Sequence, residues 1–214
     1  MDKKPIAIIP ARIGSKRIKY KNIILFKKKP LIFWTIDVAI KSKIFSEIYV
    51  STDSKIIKDK LSFFKNKIRY IKRPKKLSGD KTKTKTLIKY LIKKNSFHKK
   101  FKDFFLLQPT SPLRTKKNII EMWKIYLRNK LTNLTSVNLK KNNYRIKKSK
   151  INLFPKSKNI LKKSIYLSGS IYINNIQKFL KNPDFTKDRY NYFLLENKHS
   201  LDLDKIEDLK NYKS

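Results

Sequence analysis

Four times in its first 128 residues the sequence passes from a short apolar stretch to an amphipathic one, and this alternation constrains the fold most. Ile6 to Ala11, Glu47 to Asp53, Ile68 to Ile71 and Phe104 to Gln108 read as strands. Pro30 to Lys43, Lys55 to Phe64, Thr84 to Lys94 and Thr115 to Arg128 read as helices, the first opened by Pro30 and the last by Thr115 as N-cap. Strands separated by helices predict a mainly parallel sheet covered on both faces, a three-layer α/β/α fold. Such sheets bind ligands beyond the carboxyl ends of their strands. Here those ends are Arg12 to Lys21, Ser51-Thr52-Asp53, Arg73 to Asp80 and Gln108 to Arg114, each rich in polar residues.

The second half is less regular. Residues 129 to 165 are polar and lysine-loaded, with weak alternation at Leu134 to Leu139, and suggest an insertion or hairpin arm on a single domain spanning 1–214. "IYLSGSIYI", Ile165 to Ile173, reads as a strand whose Gly169 marks a bulge or a close approach. Gln177 to Lys181 reads as a short helix and Tyr190 to Leu195 as another strand. Leu201 to Tyr212 reads as a strand end entering a helix, with Asp204 as N-cap and Glu207 completing a capping box.

A formal charge of +40 raises the question of a polyanionic partner. The 55 basic residues are 47 Lys and only 8 Arg, spread over the whole chain, and Asn, Ile, Tyr and Phe are abundant beside 3 Gly. That is the signature of A+T-rich codons, so a nucleic-acid partner is not the expected reading. Under such drift, retained glycines and arginines mark positions where left-handed backbone, close approach or a bidentate fork is required. The chain has no cysteine, so no disulfide framework or thiolate metal site. It has no apolar run long enough to span a membrane and no recognisable signal peptide. A soluble cytoplasmic protein is expected.

Three groups of residues carry candidate chemistry. The loop after the first strand holds Arg12, Gly14, Ser15, Lys16, Arg17 and Lys21. It is neither a Walker A sequence nor a dinucleotide fingerprint. Backbone N–H groups around one glycine, an arginine fork and a mobile lysine nevertheless suit a triphosphate; the alternative is a solvated basic loop. Asp202 and Asp204, spaced i and i+2, place two hard oxygens on one side of an extended segment, as Mg²⁺ requires; the alternative is a capped helix with a solvated acid. Gln108, Thr110, Ser111 and Arg114 sit on a loop stiffened by two prolines, suited to a polyol or simply an ordinary βα turn. Neither His98 nor His199 has a ligand-like neighbour, which disfavours a catalytic histidine.

The motifs "IIPARxGSKRxxxKN", "VSTD", "RPxxLxxD", "LLQPTSPLR", "GxIYI" and "SxDxD" occur in this order from Ile8 to Asp204. The chain thereby resembles the acylneuraminate cytidylyltransferases, with the related legionaminate and pseudaminate enzymes. The resemblance implies a nucleotide-diphospho-sugar transferase-like fold and transfer of CMP from CTP to the anomeric hydroxyl of a nonulosonic acid, releasing pyrophosphate. It implies Mg²⁺, with Mn²⁺ as an alternative, held by Asp202 and Asp204, and catalysis by Arg12, Lys21 and Asp204. Ala11, Arg12, Gly14, Ser15, Lys16, Lys21, Asn22, Arg73, Asp80 and Thr82 match the nucleotide side. Gln108, Thr110, Ser111, Arg145, Ser168 and Gly169 match the side of a nine-carbon 2-keto sugar acid. It also implies a homodimer whose arm is the segment at about 129–165. The chain departs from the pattern at Ile13, Lys19 and Ser168, and Tyr166-Leu167 stands where an Arg-Pro-type pair is usual. An enzyme for an eight-carbon keto acid is the alternative within the fold, and a basic nucleic-acid-binding protein the alternative outside it.

Overall fold

The computed structural model describes residues 4–139, 152–154, 164–185 and 191–210. Its strands are β1 (Ile6–Pro10), β2 (Leu25–Phe26), β3 (Lys29–Pro30), β4 (Glu47–Thr52), β5 (Arg69–Lys72), β6 (Asp103–Leu107), β7 (Asn133–Asn138), β8 (Asn152–Phe154), β9 (Tyr166–Asn175) and β10 (Asn191–Leu194). Its α-helices are α1 (Leu31–Ser42), α2 (Lys55–Lys60), α3 (Thr84–Lys94), α4 (Phe97–Lys100), α5 (Lys116–Arg128), α6 (Ile176–Lys181) and α7 (Ile206–Lys210). Eight strands form one sheet in the order β5-β4-β1-β6-β9-β7-β10-β8, and β2 and β3 form a separate small hairpin. Within the large sheet, among the described residues, only the pairings to β9 are antiparallel.

The two-residue period of a strand sorts the core into two layers. Along β1, Ala7 and Ile9 face one side with Ile48, Val50, Phe105, Leu107, Ile171 and Ile173. There they meet α1 through Ile32 and Ile36, α2 through Ile57, and α5 through Ile119 and Met122. Ile6 and Ile8 face the other side with Phe104, Leu106 and Tyr172, against Leu87, Ile88, Leu91 and Ile92 of α3, Phe97 of α4 and Phe179 of α6. Strands that are apolar on both faces must be covered on both faces, and helices on each side give the three layers the alternation predicted. Thr115 caps α5 as expected, its hydroxyl accepting from the Asn118 N–H while the Asn118 side chain answers the Thr115 N–H.

The segment 129–165 is no simple appendage. Its weak alternation is β7, inside the sheet between β9 and β10, and Asn152–Phe154 is the edge strand β8. Residues 140–151 and 155–163, on which the rest of the expected arm falls, lie outside the described residues, as does Arg145. Between β7 and β9 the register breaks: Thr135 pairs with Tyr172, but Val137 pairs with Leu167. Two serine hydroxyls take over the lost ladder bonds. Ser136 Oγ accepts from the Ile171 N–H at 2.8 Å and Ser168 Oγ from the Ser170 N–H at 3.2 Å. This irregularity carries Gly169 into the left-handed region, at φ +70°.

Candidate active site

The carboxyl ends of β1, β5 and β6 open onto a cleft of about 860 Å³. Its floor is the loop after β1. Asn22 Nδ2 donates to the Arg12 carbonyl at 2.7 Å, and Asp53 Oδ1, at the end of β4, accepts from the Ile13 N–H at 3.0 Å. Ile18 anchors the loop from below in a small cluster with Phe26, Leu31, Leu201, Leu203 and Leu209. The same cluster holds the segment bearing the two aspartates. Leu201 and Leu203 point into it, Leu203 N–H donates to the Thr110 carbonyl at 2.8 Å, and Asp202 and Asp204 line the cleft. The i, i+2 spacing therefore works as expected, although this stretch is not part of a sheet.

Lys21 is nearly buried, its side chain 11% exposed, and donates to Asp204 Oδ1 at 2.9 Å. Arg17 reaches Asp204 Oδ2 at 3.1 Å. The chain turns into Lys21 through Tyr20, a non-glycine residue at φ +54°. Burial opposes ionisation of Asp204, but the Lys21 hydrogen bond and the charges of Lys21 and Arg17 outweigh it and hold the carboxyl below its ordinary range. Across the cleft, Arg12 meets Asp80 at 2.8 Å and donates to the Ser78 carbonyl at 3.1 Å, and Lys16 lies 3.4 Å from Asp80. Arg73 is buried, with Nε and Nη2 both on the Leu77 carbonyl at 3.0 and 2.7 Å, and so fixes the bend that carries Ser78 to Thr82. Burial lowers its pKa to about 10, with Asp53 opposing and Arg12 adding, so it stays charged at neutral pH.

Asp202 differs from the other carboxylates. Burial pushes its pKa up to about 6; Thr110, Lys21 and Arg114 oppose the rise and Asp204 adds to it. Its Oδ1 is sealed from solvent with no hydrogen-bond partner. A buried, unpartnered carboxylate oxygen beside a second carboxylate is the donor set a hard divalent cation requires, with substrate oxygens completing its shell. Asp202 and Asp204 thus fit Mg²⁺. Among the described residues no group of three or more His, Cys, Asp or Glu side chains could hold a metal by itself.

Of the residues expected on the nucleotide side, Arg12, Gly14, Ser15, Lys16, Lys21, Asn22, Arg73, Asp80 and Thr82 all line the cleft; Ala11 lies buried beneath it. Gln108, Thr110 and Gly169 line the cleft as well. Ser111 and Ser168 do not. Ser111 is fully buried with its Oγ unpartnered, and the Ser168 hydroxyl is committed to the bulge, 2.5 Å from Ser136 Oγ and 3.0 Å from the Ser136 carbonyl. Asp204 does not cap the last helix. Asp208 Oδ2 accepts from the N–H groups of both Asp204 and Lys205 at 2.8 Å, which leaves the Asp204 side chain to the cleft. Glycine retention has the expected basis only at Gly169. Only Gly169 has positive φ, while a Cβ on Gly14 or Gly79 would meet nothing within 4 Å, and four lysines occupy left-handed positions.

The architecture is that of nucleotidyltransferases. A solved structure of CMP:2-keto-3-deoxy-manno-octonic acid synthetase complexed with CTP superposes with a TM-score of 0.69 over 98% of this chain and 96% of that one, at 15% identity. A family model described as cytidylyltransferase matches residues 6–213, and the chain belongs to that family. It is 32% identical to a CMP-N,N'-diacetyllegionaminic acid synthase of Legionella pneumophila over 93% of this chain and 90% of the relative. It is 31% identical to an N-acylneuraminate cytidylyltransferase of Streptococcus agalactiae over 96% of this chain, but it spans only about half, 51%, of that relative's length.

Proposed function

We propose that the protein transfers CMP from CTP to the anomeric hydroxyl of a nonulosonic acid of the N-acylneuraminate or legionaminate type, releasing pyrophosphate. One observation carries the reading: in a cytidylyltransferase chain, Asp202 and Asp204 line a cation-rich strand-end cleft, and Asp202 keeps one carboxylate oxygen without a hydrogen-bond partner. The similarity to the Legionella and Streptococcus proteins supports the sugar class.

In this reading Arg12, Lys16 and Lys21 take the triphosphate, leaving Asp80 and Asp204 for phosphate oxygens. The sugar oxygen bonds to the α-phosphorus and loses its proton as the bond to pyrophosphate breaks. Catalysis of this kind rests on positioning and on charge placed where charge develops. Asp202 and Asp204 would hold Mg²⁺, which supplies charge neutralisation at the phosphates and a lowered pKa for the attacking hydroxyl. Lys21, almost buried and aimed by the Tyr20 turn, is set to stabilise the departing charge. Gln108 and Thr110 face the sugar.

Self-association through the 129–165 segment and a cytoplasmic setting belong to the same proposal. Among the described residues no helix is long and apolar enough to cross a membrane. The test is formation of a CMP-linked product from CTP, Mg²⁺ and each of N-acetylneuraminate, a di-N-acetylated legionaminate and an eight-carbon 2-keto acid. The reading expects product with a nine-carbon acid. Product with the eight-carbon acid alone would move the assignment to the other branch of the fold.

A further inference from the structure

Among the described residues, one ion pair in the cleft is made without the basic loop. Lys85, in the first turn of α3, meets Asp184, beyond the end of α6, at 3.1 Å, and both line the cleft. The Lys85 side chain is 37% exposed and that of Asp184 16%, so the lysine is the partner that faces open space. The neighbouring wall is apolar: Leu167, Tyr172 and Phe185 line it, with the Tyr172 and Phe185 rings 5.0 Å apart between centroids. Helix stability does not account for the lysine, because a cation in the first turn meets the positive end of the helix dipole. The carboxylate also accepts from the Phe185 N–H at 2.7 Å, which fixes its place beside the lysine. Asp184 adjoins Phe185, whose ring packs on Tyr172 of β9, the strand that carries Gly169, a residue the resemblance puts on the sugar side.

We propose that Lys85, aimed by Asp184, binds the carboxylate of the acceptor sugar acid and so selects acidic over neutral acceptors. The inference rests on the cytidylyltransferase reading and adds the residue that recognises the acid. An ammonium has three donors. Asp184 takes one and keeps the side chain directed across the cleft; the others serve a carboxylate entering from the open side. The apolar wall raises the strength of that contact by keeping water from it.

The test compares kcat/KM for a nine-carbon keto acid with kcat/KM for its neutral carboxamide. The wild-type protein is expected to favour the acid about tenfold or more, the size of one charge-assisted hydrogen bond. Lys85→Met is expected to bring the ratio to within about threefold of unity while KM for CTP stays within about twofold. Lys85→Arg keeps the charge and is expected to keep the preference. A Lys85→Met protein that retains the wild-type ratio overturns the proposal. Should that variant not fold, Asp184→Asn takes its place: a narrowed ratio supports the proposal and an unchanged one overturns it. A wild-type protein that turns over no sugar acid overturns the cytidylyltransferase reading and this inference with it, and is seen before any variant is made.

Discussion

Gly169 lies against Asp202: a Cβ built on the glycine would stand 2.9 Å from Asp202 Oδ2 and 3.4 Å from its Cγ. The bulge between β7 and β9, which sets Gly169 at φ +70°, therefore also provides the space for the half-buried Asp202 carboxylate. Gly169→Ala meets two penalties, about 1–2 kcal/mol for a left-handed alanine and the displacement of Asp202. Chemical denaturation should show that loss of stability, and pyrophosphate release should fall at least about tenfold with the carboxylate moved. A variant with unaltered activity would mean that the position of Asp202 does not matter.

The raised pKa of Asp202 has a definite sign in stability. Burial lifts it from 3.8 to about 6. Between those values the folded chain keeps a proton that the unfolded chain has lost, so this group's contribution falls as pH rises through the window. Above pH 6 the ionised carboxyl costs the metal-free protein on the order of 3 kcal/mol. Asp202→Asn should thus be more stable than wild type at pH 8 with chelator present, and the difference should vanish near pH 4. Urea unfolding across that range checks it; a wild-type protein that gains on the variant as pH rises would refute the assignment.

Arg114 is a structural clamp. Its buried guanidinium donates to the carbonyls of Ser111 at 3.0 Å, Ser170 at 2.7 Å and Gln108, tying the loop after β6 to β9. Burial lowers its pKa to about 9, with Asp202 opposing, which leaves it charged at neutral pH. A lysine cannot reproduce a three-way planar contact, and each carbonyl left buried and unpaired is costly. Arg114→Lys should lose more than about 2 kcal/mol in denaturant unfolding.

At the last helix the two acids should separate cleanly. Asp208→Ala removes the acceptor for two backbone N–H groups and should cost about 1 kcal/mol, along with some activity as Asp204 loosens. Glu207 is exposed, and Glu207→Ala should stay within about 0.5 kcal/mol of wild type. Thermal melts of the pair decide whether Asp208 or Glu207 supplies the carboxylate that satisfies the backbone at the start of the helix.

The alternation that predicted β1, β4, β5 and β6 was readable because β1 and β6 are apolar on both faces and the helix after each of the four strands has its own period. The β2–β3 hairpin was not. Each strand is two residues long, and its turn uses Lys27 and Lys28 at φ +48° and +61°, where Asn-Gly would have been the signal. Codon drift thus hid a turn that composition normally marks. At the site, strand-end position and the scarcity of acids pointed to Arg12, Lys21, Asp202 and Asp204. What sequence could not reveal was the use made of buried hydroxyls. Ser168 looks like a sugar ligand beside Gly169, yet its Oγ replaces a missing ladder bond, a role set by a register shift between strands far apart in the chain. Lys85 and Asp184, 99 residues apart, meet only through packing of α3 beside α6.

The central claim is tested most directly by pyrophosphate release from CTP, Mg²⁺ and a panel of nine-carbon 2-keto acids, with wild type and Asp204→Ala measured side by side. The account predicts release that requires a sugar acid, and a fall of about a hundredfold or more in a variant whose circular dichroism is native. No release with any nine-carbon acid, or full activity without the Asp204 carboxylate, would contradict it.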